Sequence, residues 1–452
     1  MRGLVIAGAA SGVGKTTAAA AIMGALRARG YTVQPFKVGP DYIDPSYHSV
    51  VCGLPCRNLD SWLLRPEAIV ELFQRAMVGK DIAVIEGVMG LYDGASGDDE
   101  AGSTAQLAKL LGLPVVLVLD ASKSSRSVGA VALGCKAFDP ALQLAGVLLN
   151  GIAGDLHLDL ARPSLDQAGV RYLGYLPGRQ EFTLPERHLG LVPTAEGQVA
   201  AAYYQQLAAQ AAASIDLDLL LAVAGEVSLP ESPPPALFPA RPVAPSIALA
   251  VAMDQAFNFY YQDSLDLLQA WGAEIVPFSP LGATALPDGI HGLYIGGGFP
   301  EMFAAPLASN TAMRTALRDA AARGLPIYAE CGGLMYLGQS IEDLNGQAHP
   351  MVGLVPGRSV LTGTRLTLGY RTLRALQRTP LLDAGDTVRG HEFHFSSLQD
   401  QGADVPAAYE VLEQPGRREG FVRHNVVASY MHIHLGSHTS LAPRFIATCA
   451  RG

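Results

Sequence analysis

The sequence has few cysteines and no long apolar run. Its five cysteines are spread along the chain, and only Cys52 and Cys56 lie close together, with no second pair to complete a four-ligand zinc site. This usage favours a reduced, cytoplasmic protein without structural disulfides. Apolar stretches such as 113–119 fall far short of the roughly 20 residues that a membrane-spanning helix needs, so we expect no membrane partner.

Charged residues of either sign are also scarce. They make up 16% of the 452 residues, whereas hydrophobic residues make up 49%. A chain of this length and composition buries sizeable cores, which excludes intrinsic disorder. The formal net charge of −9 lacks the basic excess of a general nucleic-acid-binding protein, so no nucleic-acid partner is expected.

Proline, in contrast, is concentrated in one stretch, PESPPPALFPARPVAP (230–245). Because proline fixes φ and removes a backbone donor, neither a helix nor a central strand continues through it. On both sides, apolar runs alternate with helical patterns, which indicates parallel sheets covered by helices. We therefore predict an α/β chain of two domains, each a mostly parallel sheet flanked by helices, at 1–228 and 246–452, joined by a proline-rich linker at 229–245.

The strands and helices behind this prediction are short and well separated. Apolar runs of strand length predict parallel strands, and the helical stretches between them supply the crossovers. The predicted strands are 4–7, 82–85, 115–119, 146–149, 247–251, 292–295 and 326–329, and the predicted helices of the second domain include 261–271 and 312–323.

Small residues follow the first predicted strand, in GAASGVGKTT (8–17), and precede a helix that begins near Lys15. Backbone N–H groups of such a loop converge on phosphate oxygens at the helix N-terminus, Lys15 reaches the β- and γ-phosphates, and Thr16 ligates Mg²⁺. The spacing G-x5-G-K-T is one residue longer than the common phosphate loop, which would need glycine at Ala9. The alternative is a glycine-rich turn with a chance lysine. The predicted nucleotide-binding residues are Gly12, Gly14, Lys15, Thr16 and Thr17.

Acidic residues that follow predicted strands are candidates for a magnesium and substrate site, because Mg²⁺ prefers oxygen ligands. In FKVGPDYIDP (36–45), Lys37 could clamp a phosphate or carboxylate, and Asp41 or Asp44 could hold the metal. Glu86 closes the strand 82–85, as a Walker B carboxylate would. The predicted metal ligands are Thr16, Asp44 and Glu86.

Each of these acidic positions has a structural alternative. Glu86 could be a solvated strand end, and Asp93, which precedes Gly94, could be a turn residue. Asp120, which follows the predicted strand 115–119, could be a ligand of the magnesium and substrate site or a helix N-cap. Asn150, at the end of the fourth predicted strand, could read a nucleotide base or form a turn.

One cysteine lies at the end of a predicted strand of the second domain. Cys331, in PIYAECGGLMYLG (326–338), is predicted on a tight turn that opens a helix. A helix N-terminus lowers a thiol pKa, and the N–H of Gly332 can bind the oxyanion of a tetrahedral intermediate, with Gly297 and Gly298 supplying the rest of the oxyanion hole. The alternative is an ordinary buried cysteine.

Two histidines near the C-terminus, His432 and His434, are spaced with period 2 and would share one face of a strand. We predict that His432 activates Cys331 as its base. A metal site is the alternative, but no third ligand lies at helical or hairpin spacing, and His438 lies beyond the pair.

Several long motifs are spread over nearly the whole chain. They are FKVGPDYIDP (36–45), NLDSWL (58–63), EGVMGLYDG (86–94), LPERHLGL (184–191), GGGFPE (296–301), ECGGLMYL (330–337) and RGHEFH (389–394). Motifs of this length are far more specific than a single glycine-rich signature, and together they resemble the cobyrinic acid a,c-diamide synthases and their hydrogenobyrinic acid counterparts.

The resemblance implies a dethiobiotin-synthetase-like P-loop domain followed by a class I glutamine amidotransferase domain. It implies ATP-dependent conversion of the a and c acetate side chains of a corrinoid to carboxamides in cobalamin biosynthesis, through a phosphorylated carboxylate. The implied partners are ATP as co-substrate with Mg²⁺, L-glutamine as nitrogen donor and a tetrapyrrole polycarboxylate. A homodimer is left open.

The resemblance also assigns residues by motif. Cys331 corresponds to the glutaminase nucleophile and His432 to the histidine that activates it. The motifs implicate Tyr42, Ile43, Glu86 and Asp93 in handling ATP or the corrinoid carboxylates. Because Glu86 is already assigned to the metal and Lys37 to a phosphate or carboxylate, the predicted substrate and phosphoryl-transfer residues are Lys37, Tyr42, Ile43 and Asp93.

One position departs from the triad amidotransferases, which commonly carry glutamate two residues after the catalytic histidine. This chain has His434 there. Glu392, in RGHEFH, or a backbone carbonyl could orient His432 instead.

Two alternative functions stay open on the sequence. The same chemistry could act on sirohaem or nickel-sirohydrochlorin. A regulatory P-loop NTPase with a non-catalytic amidotransferase-like domain is a different class. Partitioning ATPases carry a second lysine where this chain has Ala10, and the presence of Cys331 and His432 also argues against a binding module.

Overall fold

The computed structural model describes residues 1–178, 186–187, 190–191, 193–197, 200–227, 237–241, 243–343, 345–363, 366–402 and 405–451. The chain divides into two compact units, Met1–Pro233 and Pro234–Gly452. Most of the predicted linker (229–236 and 242) lies outside the described residues, as does the core of the LPERHLGL motif. The predicted domain boundaries therefore stay a prediction.

The first unit alternates strands and helices along the chain, as the apolar runs predict. Its strands are β1 (Arg2–Gly8), β2 (Val33–Val38), β3 (Arg57–Leu59), β4 (Ile82–Glu86), β5 (Val115–Asp120), β6 (Leu144–Ile152), β7 (Tyr172–Pro177), β8 (Glu186–Arg187), β9 (Gly190–Leu191) and β10 (Gly225–Glu226). Its helices are α1 (Lys15–Ala28), α2 (Ile43–Cys52), α3 (Pro66–Ala76), α4 (Thr104–Leu111), α5 (Ser127–Phe138), α6 (Asp155–Gln167), α7 (Ala201–Ser214) and α8 (Leu217–Val223).

The sheet of this unit has eight strands, in the order β3-β2-β4-β1-β5-β6-β7, with β10 paired antiparallel to β1. The other pairings are parallel. The side chains of β4 are buried along its whole length, because helices cover both faces of such a sheet. The predicted strands 4–7, 82–85, 115–119 and 146–149 are confirmed, each within a slightly longer strand.

Strand order brings the predicted phosphate chemistry to one edge of the first sheet. β4 lies between β2 and β1, and the parallel register pairs Glu86 with Lys37 on one side and with Ile6 on the other. The loop that follows β1 leads into α1 at Lys15. Three chain segments far apart in sequence therefore end side by side.

The second unit has one mostly parallel sheet and two smaller sheets. Its strands are β11 (Ile247–Ala252), β12 (Ala273–Phe278), β13 (Gly292–Ile295), β14 (Ile327–Glu330), β15 (Ser340–Glu342), β16 (Ala348–Pro350), β17 (Arg358–Leu361), β18 (Thr367–Ala375), β19 (Thr387–His394), β20 (Ser396–Gln399), β21 (Tyr409–Val411), β22 (Arg418–Glu419), β23 (Phe421–Arg423) and β24 (Val426–Ser429). Its helices are α9 (Gln262–Ala270), α10 (Ala304–Ser309), α11 (Thr311–Ala322), α12 (Gly332–Leu337) and α13 (Leu441–Cys449).

The main sheet has the order β12-β11-β13-β14-β24-β23, in which β23 alone is antiparallel. The smaller sheets, β16-β15-β17-β20 and β19-β18-β21-β22, pair mostly antiparallel. The strands and helices predicted for this domain are confirmed. The sequence analysis did not predict the smaller sheets, because their strands are short or half-exposed and lack continuous apolar runs.

Candidate functional site

The loop between β1 and α1 has the backbone that a phosphate-binding loop needs. Gly12 and Gly14 have φ values of 78° and 93°, in the left-handed region that glycine adopts without strain. A Cβ on Gly14 would lie 2.2 Å from Nδ2 of Asn150. That amide donates a hydrogen bond of 3.0 Å to the carbonyl of Val13, so Asn150 braces the loop instead of forming a turn of its own.

Lys15 folds back over this loop at the start of α1. Its Nζ donates to the carbonyl of Ala10 at 3.0 Å, and the residue is 7% exposed. Burial, together with the neighbouring charge of Lys37, lowers the pKa of Lys15, although nearby carboxylates oppose the shift. Thr16 and Thr17 follow in the first turn of the helix.

Glu86 contacts three other side chains of the first site. Its two oxygens accept from the hydroxyl of Thr16 at 2.8 Å and contact Nε2 of His48 at 2.5 Å, and Nζ of Lys37 lies 3.0 Å away. The side chain is fully buried, which excludes the solvated strand end considered above. Burial alone would raise its pKa, but Lys37, His48 and Thr16 outweigh burial and lower the pKa to about 2. Glu86 is therefore an ionised carboxylate.

Lys37 neutralises two carboxylates at once. Its Nζ lies 2.6 Å from Asp44 and 3.0 Å from Glu86, and it also donates to the carbonyl of Gly87 at 3.2 Å. Burial favours the neutral amine, but the two carboxylates outweigh it and raise the pKa of Lys37. The pKa of Asp44 is raised as well, by burial and by the neighbouring charge of Asp41.

The other predicted substrate residues surround this cluster. Asp41 accepts from the backbone N–H groups of Ile43 at 2.7 Å and Asp44 at 3.3 Å, and Tyr42 is the residue that precedes α2. Asp93 closes a turn by accepting from the N–H of Gly90 at 2.9 Å, as its structural alternative predicts. Its charge nevertheless acts on Lys15, so it also lies near the loop.

Asp120 lies outside this cluster. Its side chain is exposed and accepts from the N–H of Ser122 at 2.8 Å, in a turn. The predicted helix N-cap is wrong, because α5 begins only at Ser127.

His48 is a residue of this site that the sequence analysis missed. It lies on α2 one helical turn after Asp44, so both side chains face β4 and Glu86. The ring is fully buried, and no partner of its Nδ1 is found among the described residues. The i, i+4 spacing from a candidate metal ligand is the signal that could have identified it.

The oxygen atoms of this cluster suit a hard cation. Thr16 and Glu86 are in direct contact, whereas the ammonium group of Lys37 lies between Asp44 and Glu86 and competes with a metal ion for those carboxylates. Magnesium commonly uses one or two carboxylates together with waters and substrate phosphates. Among the described residues, no group of three or more His, Cys, Asp or Glu side chains is arranged so that it could hold a metal ion by itself.

Cys331 occupies a strained turn between β14 and α12. Its φ of 47° and ψ of −103° are unusual for a residue with a side chain, and α12 begins at the next residue. The predicted tight turn is confirmed. The thiol is nearly buried, and its Sγ lies 3.7 Å from the carbonyl oxygen of Phe393 on β19.

The predicted lowering of the thiol pKa is wrong. Burial raises the pKa of Cys331, and the negative charge of Glu301 adds to the increase, while a hydrogen bond from the N–H of Gly332 opposes both. A short helix of six residues cannot offset the cost of placing a charged sulfur in this interior. The resting cysteine is therefore a thiol that needs a base.

The glycines predicted to form an oxyanion hole lie around this turn. A Cβ on Gly332 would lie 3.2 Å from the backbone nitrogen of Gly298, so the two backbones approach closely. A Cβ on Gly297 would lie 2.6 Å from Cε1 of His432. The loop of residues 296–298 therefore borders both the cysteine turn and the histidine, although the oxyanion role stays a prediction.

His432 does not lie on a strand, contrary to the prediction. β24 ends at Ser429, and His432 forms an isolated antiparallel bridge with His391 of β19, with N–H to carbonyl distances of 2.8 and 3.0 Å. The two rings lie 5.2 Å apart. Burial, with His391 and His394 nearby, lowers the pKa of His432 well below its usual value, which leaves a neutral imidazole able to accept a proton.

Glu392, which the sequence analysis considered for orienting His432, has other partners, and so has His434, which stands where the triad amidotransferases commonly carry glutamate. Glu392 contacts Arg371 at 2.5 Å and Arg417 at 2.6 Å, and strand alternation directs it to the opposite face of β19 from His391. The structure therefore does not support Glu392 in that role. His434 accepts from the N–H of Gly436 at 3.0 Å, and burial lowers its pKa to about 3, so it caps a short 3-10 helix as a neutral ring.

Comparison with known proteins places both units in described families. Residues 4–192 match the CobQ/CobB/MinD/ParA nucleotide binding domain, and residues 248–440 match the CobB/CobQ-like glutamine amidotransferase domain. The described residues include no helix that is long and apolar enough to cross a membrane.

Curated relatives extend over nearly the full length. The chain is 46% identical to a cobyrinate a,c-diamide synthase of Dehalococcoides mccartyi, over 98% of this chain and 97% of that protein. It is 43% identical to a cobyrinate a,c-diamide synthase of Salmonella typhimurium, covering 99% and 98% of the two chains. It is also 43% identical to a hydrogenobyrinate a,c-diamide synthase of Streptomyces coelicolor, covering 99% and 97%.

Proposed function

The chain belongs to the cobyrinate and hydrogenobyrinate a,c-diamide synthase family, which makes it a glutamine-dependent ligase, and on that premise we propose that it amidates the a and c acetate side chains of a corrinoid at the expense of ATP. The observation that carries this proposal is the presence, in one chain, of two complementary sites. One gathers Lys15, Lys37 and Glu86 at a phosphate loop, and the other sets Cys331 and His432 around a glycine loop.

The first site activates the acid. A carboxylate is a poor acyl donor because its oxygen leaves badly, so one carboxylate oxygen attacks the γ-phosphorus of ATP, ADP leaves and an acyl phosphate forms. Lys15 and the N–H groups of the loop bind the triphosphate, and Lys37 offsets negative charge where carboxylate and phosphate meet. We assign this chemistry to residues 1–228, with Tyr42, Ile43 and Asp93 on the substrate side.

Magnesium is part of the proposal. The Thr16 hydroxyl and the Glu86 carboxylate would hold it, with Asp44 as a further oxygen ligand. When bound, it supplies neutralisation of the phosphate charge. His48 keeps Glu86 ionised and oriented toward Thr16, because its Nε2 contacts the carboxylate oxygen that Thr16 does not use.

The second site supplies the nitrogen, and we assign it to residues 246–452. Sγ of Cys331 attacks the side-chain amide carbon of glutamine while its proton passes to His432, which then protonates the leaving ammonia. Backbone N–H groups of Gly297, Gly298 and Gly332 stabilise the oxyanion. Water releases glutamate from the thioester, and ammonia attacks the acyl phosphate and displaces phosphate.

A product assay tests the substrate class. Purified protein is incubated with ATP, Mg²⁺ and glutamine and with cobyrinic acid, hydrogenobyrinic acid, sirohaem or nickel-sirohydrochlorin in parallel, and products are weighed by mass spectrometry. We expect a loss of about 1 Da for each carboxyl converted to carboxamide, twice, on a corrinoid. Amidation of sirohaem or nickel-sirohydrochlorin alone would overturn the corrinoid assignment, and release of no glutamate from glutamine would overturn the enzyme assignment.

We also propose a cytoplasmic location, because five cysteines without disulfides among the described residues fit a reducing environment. The sequence leaves a homodimer open, and light scattering of the purified protein tests for it directly.

A further inference from the structure

We propose that Glu330 is a positioning residue for glutamine hydrolysis, which fixes the backbone that carries His432 by accepting a hydrogen bond from the N–H of Ile433. This inference rests on the proposed function of Cys331 and His432. It concerns a carboxylate that neither the motif assignments nor the glutaminase chemistry above uses.

Glu330 joins the two halves of the thiol site. It is the last residue of β14 and immediately precedes Cys331, and it is 1% exposed. Its Oε1 accepts from the N–H of Ile433 at 2.8 Å and from the hydroxyl of Tyr328, and its Oε2 accepts from the hydroxyl of Tyr294 at 2.9 Å. One side chain therefore connects the base of the cysteine turn with the peptide between His432 and His434.

The segment that carries His432 needs such an anchor. β24 ends at Ser429, so the regular ladder to β14 no longer holds the chain at His432. The bridge to His391 uses the N–H and carbonyl of His432 itself. The next N–H, that of Ile433, is buried and points to Glu330, and a buried donor left without an acceptor is destabilising. Glu330 therefore fixes the side of the segment that the bridge leaves open.

The hydrogen bond from Ile433 to Glu330 matters because the position two residues after His432 carries a histidine, His434, and no carboxylate. His434 stands where the triad amidotransferases commonly carry glutamate, and its ring accepts a hydrogen bond from the N–H of Gly436. In this chain the nearby carboxylate comes from the residue before the nucleophile. It acts on the backbone of the histidine segment, which makes it a positioning residue and not a catalytic one.

The surroundings of Glu330 give the test a distinctive readout. Burial raises its pKa to about 7, although the bonds from Tyr328, Ile433 and Tyr294 oppose the shift. The other titratable groups that sense its charge are Tyr260, Tyr409 and Cys331, all neutral at that pH. The pKa of His432 lies well below 6.5. His391 and His394 also lie near His432. We therefore expect a loss of glutaminase rate on acidification near pH 7, and the Glu330→Gln variant shows whether that loss belongs to Glu330.

The experiment measures glutamate release by the full-length protein as a function of glutamine concentration and pH, for the wild type and Glu330→Gln. The substituted glutamine side chain keeps the shape of Glu330. One of its two polar atoms is an amide nitrogen, which donates a hydrogen bond where the carboxylate oxygen accepted one. We expect kcat to fall by roughly tenfold or more, KM to change by less than about threefold, and the acid limb near pH 7 to disappear. Unchanged kcat and pH profile in a folded variant would overturn the proposal.

Tyr294→Phe is the matched control, because it removes a different donor from the same carboxylate and keeps the ring and the bond to Ile433. If Glu330 only satisfies buried hydroxyl groups, this variant will lose as much kcat as Glu330→Gln, and the proposal is wrong. If Glu330→Gln does not fold, Glu330→Asp decides, because the shorter side chain keeps the charge but withdraws the acceptor from the N–H of Ile433, and an unchanged kcat contradicts the proposal. Wild type that releases no glutamate at all contradicts the proposed function instead.

Discussion

Burial acts on ionisable groups in both units, but the neighbours that offset it differ. Around the phosphate loop, Glu86 is paired with Lys37 and His48, and its pKa falls to about 2. Around the thiol, Glu330 is met by two tyrosine hydroxyls and one backbone N–H, and its pKa rises to about 7. The first site holds separated charges ready for an anionic ligand, whereas the second stays close to neutral until a proton is moved.

The difference fits the two kinds of chemistry. Phosphoryl transfer needs fixed positive charge at the place where phosphate oxygens arrive, so buried ion pairs are useful there. Thioester formation needs a base that is unprotonated at neutral pH, and the buried, neutral His432 meets that need. On the proposed assignment, interior residues serve acid activation in one unit and proton transfer in the other.

The largest loss of activity at the first site is expected when the ammonium group of Lys37 is removed. Lys37→Ala leaves Asp44 and Glu86 without their common ammonium group and removes the positive charge proposed to stabilise the phosphoryl transfer. We expect ATP-dependent amidation to fall by roughly a thousandfold or more with either glutamine or ammonium, while glutamate release persists. Lys123→Ala, at an exposed lysine, is the control and should retain full activity. Comparable loss in both variants would contradict the assignment.

A substitution at His48 should cause a smaller loss of activity at the same site than the loss of Lys37. His48→Asn removes the 2.5 Å contact with Glu86 but keeps Lys37 and Thr16 in place. Loss of a residue that orients a metal-binding group commonly costs about 10–100-fold, and we expect that loss in the amidation rate with ammonium, together with a higher Mg²⁺ requirement. Titration of the rate against Mg²⁺ checks this, and an unchanged Mg²⁺ dependence would argue against the role of His48.

The two carboxylates should make opposite contributions to stability as pH changes. Glu86 has a lowered folded pKa, so its stabilisation is present above its usual pKa and is lost as pH falls toward about 2. Glu330 has a raised folded pKa, so its contribution is present below its usual pKa and is lost as pH rises through about 7. Each shift corresponds to about 3 kcal/mol.

Urea unfolding of Glu330→Gln measures how the contribution of Glu330 to the free energy of unfolding changes with pH. Trp62→Phe is used as background, so that Trp271 reports the second unit alone. Because the amide carries no charge, the variant should gain stability relative to its background by about 3 kcal/mol between pH 5 and pH 8. A pH-independent difference would show that Glu330 does not titrate in this range.

The smallest expected effect is at the brace of the phosphate loop. Asn150→Ala removes one hydrogen bond to the carbonyl of Val13, worth about 1 kcal/mol. We expect the KM for ATP to rise by about threefold to tenfold, with little change in kcat for glutamate release. Steady-state kinetics with ATP as the varied substrate measures this, and an unaltered KM would mean that the loop keeps its shape without Asn150.

Local patterns were sufficient for much of the fold and for the centres of both sites. The buried parallel strands, the glycine loop before Lys15 and the turn at Cys331 all depend on residues adjacent in sequence, and the structure contains each of them. The residue pattern of one segment is enough to predict such features, because the residues of that segment determine its backbone conformation and whether a strand is buried.

Long-range arrangement could not be read in the same way. His432 leaves the strand after Ser429 because it pairs with His391, a partner some forty positions earlier in the chain. The thiol pKa follows from burial by distant segments, which no local motif encodes. His48 and Glu330 were missed because each acts on a residue from another strand or loop. Glu330 had one local signal, a charge at the end of an apolar strand beside the nucleophile.

The central claim is that acid activation and nitrogen supply are separate functions of the two sites. Cys331→Ala tests it most directly, with carboxamide formation on the corrinoid measured by mass spectrometry in the presence of ATP and either glutamine or a high concentration of ammonium salt. The account predicts that amidation with glutamine is abolished and that amidation with ammonium proceeds at close to the wild-type rate. Loss of both activities in a folded variant would contradict it.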